Sequence, residues 1–261
     1  MSWFIVRPLR GPVGEVGMPM IDRRRLVKGA LAGAAGLIAT EMTDWPASRP
    51  RSASAQSAYD LSAGTPGCSQ VALMFNIGSG YEPAVGILDT LGAYGVASSM
   101  FIMGWLAEQS PWLVQQISAW GHPVGSHGYV PPELTFRADD DVAWDLQAAS
   151  GALSWALGYD PGPWFTPYAS ASDDRVRSIA SSLGLITVGW SVSSGDWDPG
   201  ATADSIYSNA VNGAFDGAII ELHLDAQRSI DGTGVALPWI IDDLSARGYS
   251  FVTIPQIAGW C

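Results

Sequence analysis

A carboxylate and an imidazole lie two residues apart in the segment AIIELH, residues 218–223. Alternate side chains of a β-strand share one face, so Ile219, Glu221 and His223 are expected to point the same way. A carboxylate beside an imidazole can share a proton with it or contribute to a metal site. The alternative is a buried glutamate that is satisfied by hydrogen bonds, or one that faces a helix.

The elements that would position these groups follow a regular pattern. Apolar runs of strand length alternate with segments of helical period, which predicts a parallel sheet closed into a barrel. The predicted strands are residues 71–75, 98–103, 123–126, 185–189, 218–222 and 251–253. Functional side chains of such folds gather at the carboxyl ends of the strands.

Capping residues mark the helices between the strands. Ser110-Pro111 supplies an N-cap and a proline at the first helical position, and glycines at 158, 184 and 248 suit helix C-termini. The acidic triplet of residues 139–141 favours a helix N-terminus through the macrodipole. A cation site is the alternative for the triplet.

Several polar side chains follow the predicted strands. Asn76, His127, Asp196 and His223 all come after apolar runs, and Glu221 precedes His223. We expect Glu221, His223, His127 and Asp196 to converge at the mouth of the barrel. They would form either a carboxylate–imidazole pair, with His223, Glu221 and Asp196 as catalytic residues, or an altered divalent metal site. No cofactor is otherwise predicted.

Five short motifs occur in order, and through them the chain resembles the polysaccharide deacetylase family, also called the NodB-homology domain. They are MFNIG (residues 74–78), HPVGSHGYVP (122–131), FTPYA (165–169), Asp196-Trp197 and Leu222-His223. The resemblance covers about residues 71–255. It implies a distorted parallel (β/α) barrel and, for the family, metal-dependent deacetylation of glycans.

The family's metal and base positions are changed in this chain. The resemblance implies a catalytic base at Asn76, a carboxylate ligand at Ile77 and histidine ligands at His127 and Pro131. Asparagine cannot accept a proton at neutral pH, and isoleucine and proline have no ligating side-chain atom. Catalytic zinc usually takes three protein ligands, so the standard metal-dependent deacetylase activity is predicted to be absent.

Two further family positions are also replaced. The resemblance implies an arginine that orients the base at Phe165 and a carboxylate behind the acid at Ser193, whereas the acid itself is kept as His223. The first-line roles that survive are those of His127 and His223.

Aromatic side chains accompany the motifs. Asn76, His127, Tyr168 and Trp197 are predicted to line a groove for a glycan or another neutral small ligand, because aromatic faces stack on sugar rings. Trp190 either packs in the core or lines the same groove. His122 is predicted to be structural.

The charge balance limits the partners of the chain. Residues 56–261 contain five arginines, no lysine and 21 acidic residues, a formal charge of −16. Such a surface repels phosphate backbones and anionic lipid, so neither nucleic acid nor a membrane surface is expected as a partner.

The first 55 residues resemble a twin-arginine export signal. Residues 23–25 are arginines that precede an apolar stretch, and ASAQ offers a cleavage site after Ala55. A membrane anchor is the alternative. Residues 56–67 are predicted to be a flexible lead-in and residues 68–261 the deacetylase-like domain, in a protein exported to the periplasm or the cell exterior.

Two cysteines, Cys68 and Cys261, lie in the predicted exported part. They either form a disulfide or remain two free thiols. For the whole chain, the main hypothesis is a non-catalytic or glycan-binding deacetylase-like protein. The alternatives are a hydrolase that cleaves C–N bonds of carbohydrates or small cyclic amides at a non-standard site, and an exported partner protein without a small ligand.

Overall fold

A computed structural model describes residues 59–259 and Cys261. The predicted export signal of residues 1–55 lies outside the described residues. Strands in the described part are β1 (Gln70–Ile77), β2 (Ser99–Ile102), β3 (Val124–Ser126), β4 (Trp164–Phe165), β5 (Ile186–Thr187), β6 (Val192–Ser193), β7 (Ala218–His223) and β8 (Ser250–Val252). They form one parallel sheet in the order β5-β4-β3-β2-β1-β7-β6, and β8 pairs with the start of β1 on the side of β2.

Helices alternate with these strands. They are α1 (Gly86–Tyr94), α2 (Gly104–Gln109), α3 (Pro111–Ala119), α4 (Asp139–Leu157), α5 (Asp174–Ser182), α6 (Ala203–Gly213), α7 (Gly234–Ala246) and α8 (Ile254–Ile257). Short 3₁₀ turns occupy Leu134–Phe136 and Tyr168–Ser170, and a π turn occupies Ser229–Thr233. Within residues 59–259, none of these helices has the length and apolar character that a membrane span requires.

Strand β1 shows how alternation builds two apolar layers. Leu73, Phe75 and Ile77 belong to the large cluster between the sheet and the helices, whereas Met74 belongs to a smaller cluster inside the curled sheet. The next inward position after Met74 is Asn76 at the strand end. The same alternation on β7 places Glu221 and His223 inward, as the sequence predicts.

The barrel is not closed by strand pairing, because the sheet has β5 and β6 at its two edges. The gap is crossed by residues 60–64, which we call the strap. Asp60 and Leu61 donate their N–H groups to Thr187, and Ala63 bridges to Ala218 at the start of β7. Leu61 packs against the inner cluster, so this part of the predicted flexible lead-in is tied to the sheet.

The predicted strands and helix ends agree with the structure to within a few residues. The acidic triplet starts α4, Gly158 caps it in the left-handed conformation, and the structural interpretation of the triplet is confirmed. Strands β4 and β6 escaped prediction because two residues are too few for a period-two pattern.

A disulfide joins Cys68 and Cys261, whose Cα atoms lie 6.0 Å apart, so the paired alternative is confirmed. It links the segment before β1 to the segment after α8. Both lie at the amino ends of the parallel strands, away from the edge where the polar side chains gather.

Replacing Cys68 by serine is expected to lower the free energy of unfolding, because the open chain regains entropy. The chain-entropy estimate for a loop of 193 residues is about 5 kcal/mol and is an upper figure. Urea unfolding measures the loss. The Cys68→Ser/Cys261→Ser double variant is the control and should lose no more than the single variant, and an unfolding midpoint equal to that of the oxidised wild type would contradict the prediction.

Candidate functional site

A cavity of about 580 Å³ opens at the carboxyl ends of the strands. Its lining includes six of the seven side chains that the sequence predicts for the site, namely Asn76, His127, Tyr168, Trp197, Glu221 and His223. The seventh, Asp196, is fully buried behind His223. The predicted convergence therefore takes place.

Glu221 lies at the centre of the polar contacts. Its Oε1 accepts a hydrogen bond from Asn76 Nδ2 at 3.1 Å, and its Oε2 accepts one from Ser193 Oγ at 2.9 Å. Parallel pairing of β7 with β1 on one side and β6 on the other brings the two donors to it. Glu221 is thus a buried glutamate that is satisfied by hydrogen bonds, and it also lines the cavity.

Asp196 holds His223 from behind. Its Oδ1 lies 2.8 Å from His223 Nδ1, and its Oδ2 accepts from the His223 backbone N–H and from Thr233 Oγ1. The other ring nitrogen of His223, Nε2, lies 3.8 Å from Glu221 Oε1. The resemblance implied a carboxylate behind His223 at position 193, but in the structure Asp196 is the carboxylate that contacts His223, and Ser193 contacts Glu221.

The environment shifts the pKa values of both groups upwards. Burial raises the pKa of Glu221, and the charge of His223 and the bonds from Ser193 and Asn76 offset this only in part. Burial alone would lower the pKa of His223, but the hydrogen bond and charge of Asp196, with the charges of Glu221 and Asp225, raise it above its ordinary value.

His127 is held as a neutral ring. Its Nδ1 lies 2.9 Å from the carbonyl oxygen of Thr166, which can only accept, so Nδ1 carries the proton. Burial lowers the pKa of His127 to about 4. The Tyr168 ring packs edge-on against it with 5.9 Å between ring centroids.

The positions of the standard metal site do not fit a metal ion. Ile77 is fully buried in the cluster between sheet and helices, and Phe165 is fully buried against α4 and α5. Pro131 is exposed and has no donor atom. Among the described residues, no group of three or more His, Cys, Asp or Glu side chains is placed to hold a metal, including the altered site considered from sequence.

Two buried aspartates that the sequence analysis missed position the loops of the site. Asp145 on α4 accepts from the backbone N–H groups of Tyr129 and Val130, just after His127, and pairs with Arg137. The available sequence signal is an aspartate on the apolar face of a predicted helix, because Asp145 lies three residues after Val142 and directly before Leu146.

Asp225 has the corresponding role for the turn after β1. It lies just after β7 and accepts from the N–H groups of Gly78 and Gly80. Gly78 has a φ of +134°, and a Cβ there would lie 2.5 Å from the Met103 side chain, so only glycine fits. Burial raises the pKa of Asp225.

Aromatic side chains form the wall of the cavity. Trp197 is 59% exposed, although its neighbour Asp196 is fully buried. The sequence left two alternatives for Trp190, core packing or the groove, and the structure shows both, because the side chain packs against the inner cluster and also lines the cavity. His122 lies at the amino end of β3 and accepts from the Ser98 N–H, so its structural role is confirmed.

Comparisons with known proteins agree with this architecture. The sequence profile of the polysaccharide deacetylase family matches residues 63–188. The peptidoglycan-N-acetylglucosamine deacetylase of Bacillus cereus is 31% identical over 189 residues, which are 72% of this chain and 68% of that protein.

Two further relatives extend the comparison. Peptidoglycan-N-acetylglucosamine deacetylase PgdA of Listeria monocytogenes is 31% identical over 190 residues. The matched residues are 73% of this chain but only 39% of the length of PgdA. A crystal structure of a peptidoglycan N-acetylglucosamine deacetylase in complex with 4-naphthalen-1-yl-N-oxidanyl-benzamide is 29% identical, with a TM-score of 0.72 over 77% of this chain and 93% of the other.

Replacing Asp196 by asparagine is expected to lower the pKa of His223, because the carboxylate charge that favours the imidazolium is removed. His223 protonation stabilises the fold below its unfolded pKa, and this contribution is lost as pH rises through the folded pKa, so the variant should lose stability mainly on the acid side. NMR titration of the imidazole protons measures the shift.

Asp231→Asn is the control for this experiment, because it removes a charge of the same type from an exposed ion pair with Arg228. This substitution should leave the pKa of His223 unchanged. An unchanged His223 pKa in Asp196→Asn would show that the buried aspartate does not set it.

Proposed function

The chain belongs to the polysaccharide deacetylase family, and we propose that it binds glycan in the cavity described above without carrying out the family's metal-dependent deacetylation. The observation that carries the proposal is a combination of two facts. The positions for the base and two of the ligands hold Asn76, Ile77 and Pro131, yet the cavity at the same strand ends is open and lined with aromatic and hydroxyl groups.

The loss of metal chemistry follows from the donor set. His127 is the remaining imidazole of the expected ligands, and its Nδ1 is bonded to Thr166. A single imidazole with one free nitrogen does not hold a catalytic divalent ion, which usually takes three protein ligands. The amide of Asn76 cannot act as a general base, and it donates to Glu221 instead.

Glycan is the class of ligand that the lining favours. Trp197, Tyr168 and Tyr81 offer ring faces and Ser79, Ser170 and Ser193 offer hydroxyl groups around the cavity. Rings that stack on the apolar faces of sugars, with hydroxyls at their edges, are suited to carbohydrate. The relatives named above are peptidoglycan deacetylases, which makes a cell-wall glycan the first ligand to test.

A second candidate function is favoured by the arrangement of Glu221 and His223. A carboxylate of raised pKa lies 3.8 Å from an imidazole that a buried aspartate holds. In a hydrolase of C–N bonds, Glu221 would take a proton from a water molecule while the oxygen of that water adds to the acyl carbon. His223 would give a proton to the leaving nitrogen, so the C–N bond breaks and an acid and an amine form.

We also propose that the protein is exported, to the periplasm or the cell exterior. The twin-arginine-like segment and the disulfide between Cys68 and Cys261 support this location, because disulfides persist in oxidising compartments. A cell-wall ligand would be encountered there.

Acetate release from N-acetylated chitooligosaccharides and from peptidoglycan is expected to be absent, with or without added zinc. The reason is the missing ligand set and base. A coupled acetate assay measures it, and a catalytically active family member serves as the control. Zinc-dependent turnover would overturn the proposal, whereas turnover that is independent of zinc and lost in Glu221→Gln would favour the second candidate.

Binding of chitooligosaccharide is expected to weaken about tenfold, or about 1.4 kcal/mol, in Trp197→Ala, because the ring face is lost. Isothermal titration calorimetry measures the dissociation constant. Trp155→Ala is a matched control, since Trp155 is similarly exposed but lies on α4 outside the cavity lining. Equal effects of the two substitutions would contradict a cavity site, and binding of no glycan by the wild type would favour a partner protein without a small ligand.

A further inference from the structure

Acidic side chains outnumber basic ones at the inner end of the cavity. Glu221 lines it, and the buried carboxylates of Asp196 and Asp225 lie close enough to His223 to shift its pKa. His223 is the basic side chain beside these three carboxyl groups. In residues 59–261 there is no lysine, and each of the five arginines is paired with an aspartate and absent from the cavity lining.

Hydrogen-bond acceptors gather at the same end of the cavity. Asn76 is 2% exposed, its Nδ2 is used by Glu221, and its Oδ1 has no partner in the described part of the chain. His127 gives its Nδ1 proton to Thr166, so Nε2 of the neutral ring is an acceptor. The carboxylate of Glu221 is the third acceptor beside the cavity.

We propose that this end of the cavity binds the ammonium group of a de-N-acetylated amino sugar, so that the protein prefers deacetylated glycan to acetylated glycan. The inference rests on the proposed glycan-binding function and names the class of sugar. An ammonium group has three donors and no acceptor, which matches a site composed of acceptors. An N-acetyl group would bring a carbonyl acceptor and a methyl group to the same atoms.

Electrostatics favours the same ligand. A carboxylate that is buried without a full counter-charge is stabilised when a cation approaches it. Hydrogen bonds between an ammonium group and a carboxylate are among the stronger ones in proteins. Asn76 and Ser193 fix the Glu221 carboxylate before any ligand arrives, so little side-chain entropy is lost on binding. The family's metal cation would in effect be replaced by a cation that the ligand brings.

The test compares two oligosaccharides of equal length with the wild-type protein, a glucosamine oligomer and the same oligomer fully N-acetylated. Calorimetric titration is carried out over a series of pH values from mildly acidic to neutral, because the amines must be protonated and Glu221, whose pKa burial raises, must be ionised. At the best of these pH values the dissociation constant is expected to be about tenfold lower for the glucosamine oligomer. Added salt should weaken that binding and leave the acetylated oligomer little affected. This comparison needs no variant, so it decides the question even if a substitution prevents folding.

A charge substitution then locates the preference. Glu221→Gln keeps the shape of the side chain and is expected to abolish the difference between the two oligomers. The control is Glu133→Gln, which removes a similar charge from the loop before α4, outside the cavity lining, and should keep the difference. A preference that survives in Glu221→Gln would overturn the assignment of the ammonium to this carboxylate.

The outcomes separate this inference from the function on which it rests. Equal or tighter binding of the acetylated oligomer would overturn the inference and leave glycan binding in place. Binding of neither oligomer would overturn both.

Discussion

A buried carboxylate in a protein interior must be hydrogen bonded, and that requirement at Glu221 explains most of what distinguishes this site. The side chain lies on β7, between β1 and β6, and each neighbouring strand supplies one donor, Asn76 Nδ2 and Ser193 Oγ. An aspartate at either position would place a second carboxylate within hydrogen-bond distance of the first. The two residues that look like losses in the family motifs are therefore the residues that allow a glutamate on β7.

The remaining replacements are consistent with that central change. A buried charged ligand would need a metal ion to offset its charge, and the position of the carboxylate ligand is instead part of the apolar core, as Ile77. Without a base on β1 an orienting arginine would be unpaired, and Phe165 fills its place against α4 and α5. His223 and Asp196 do not depend on the metal, and they keep their contact. The polar contacts of the site thus centre on one carboxylate.

The fold and the gathering of the site residues could be predicted from the sequence, because the carboxyl ends of parallel strands lie at one edge of a sheet. Residues that follow separate apolar runs, such as His127 and His223, were expected to meet, and they do. The partners of Glu221 could not be predicted, since they depend on β6, which has only two residues, and on the register of three strands. The roles of Asp145 and Asp225 depend on long-range backbone contacts that leave no period in the sequence.

The strap has a consequence for the shape of the cavity. A barrel whose strands pair all the way round can change its circumference only by breaking hydrogen bonds between strands. This sheet instead has a gap between its edge strands β5 and β6. Tyr59, next to the strap, bonds to the Ser170 carbonyl and packs against Trp190, and both of these residues line the cavity. The strap therefore crosses the gap between the two edge strands and, through its neighbour Tyr59, also supports the wall of the cavity, so the gap and the mouth of the cavity depend on one segment.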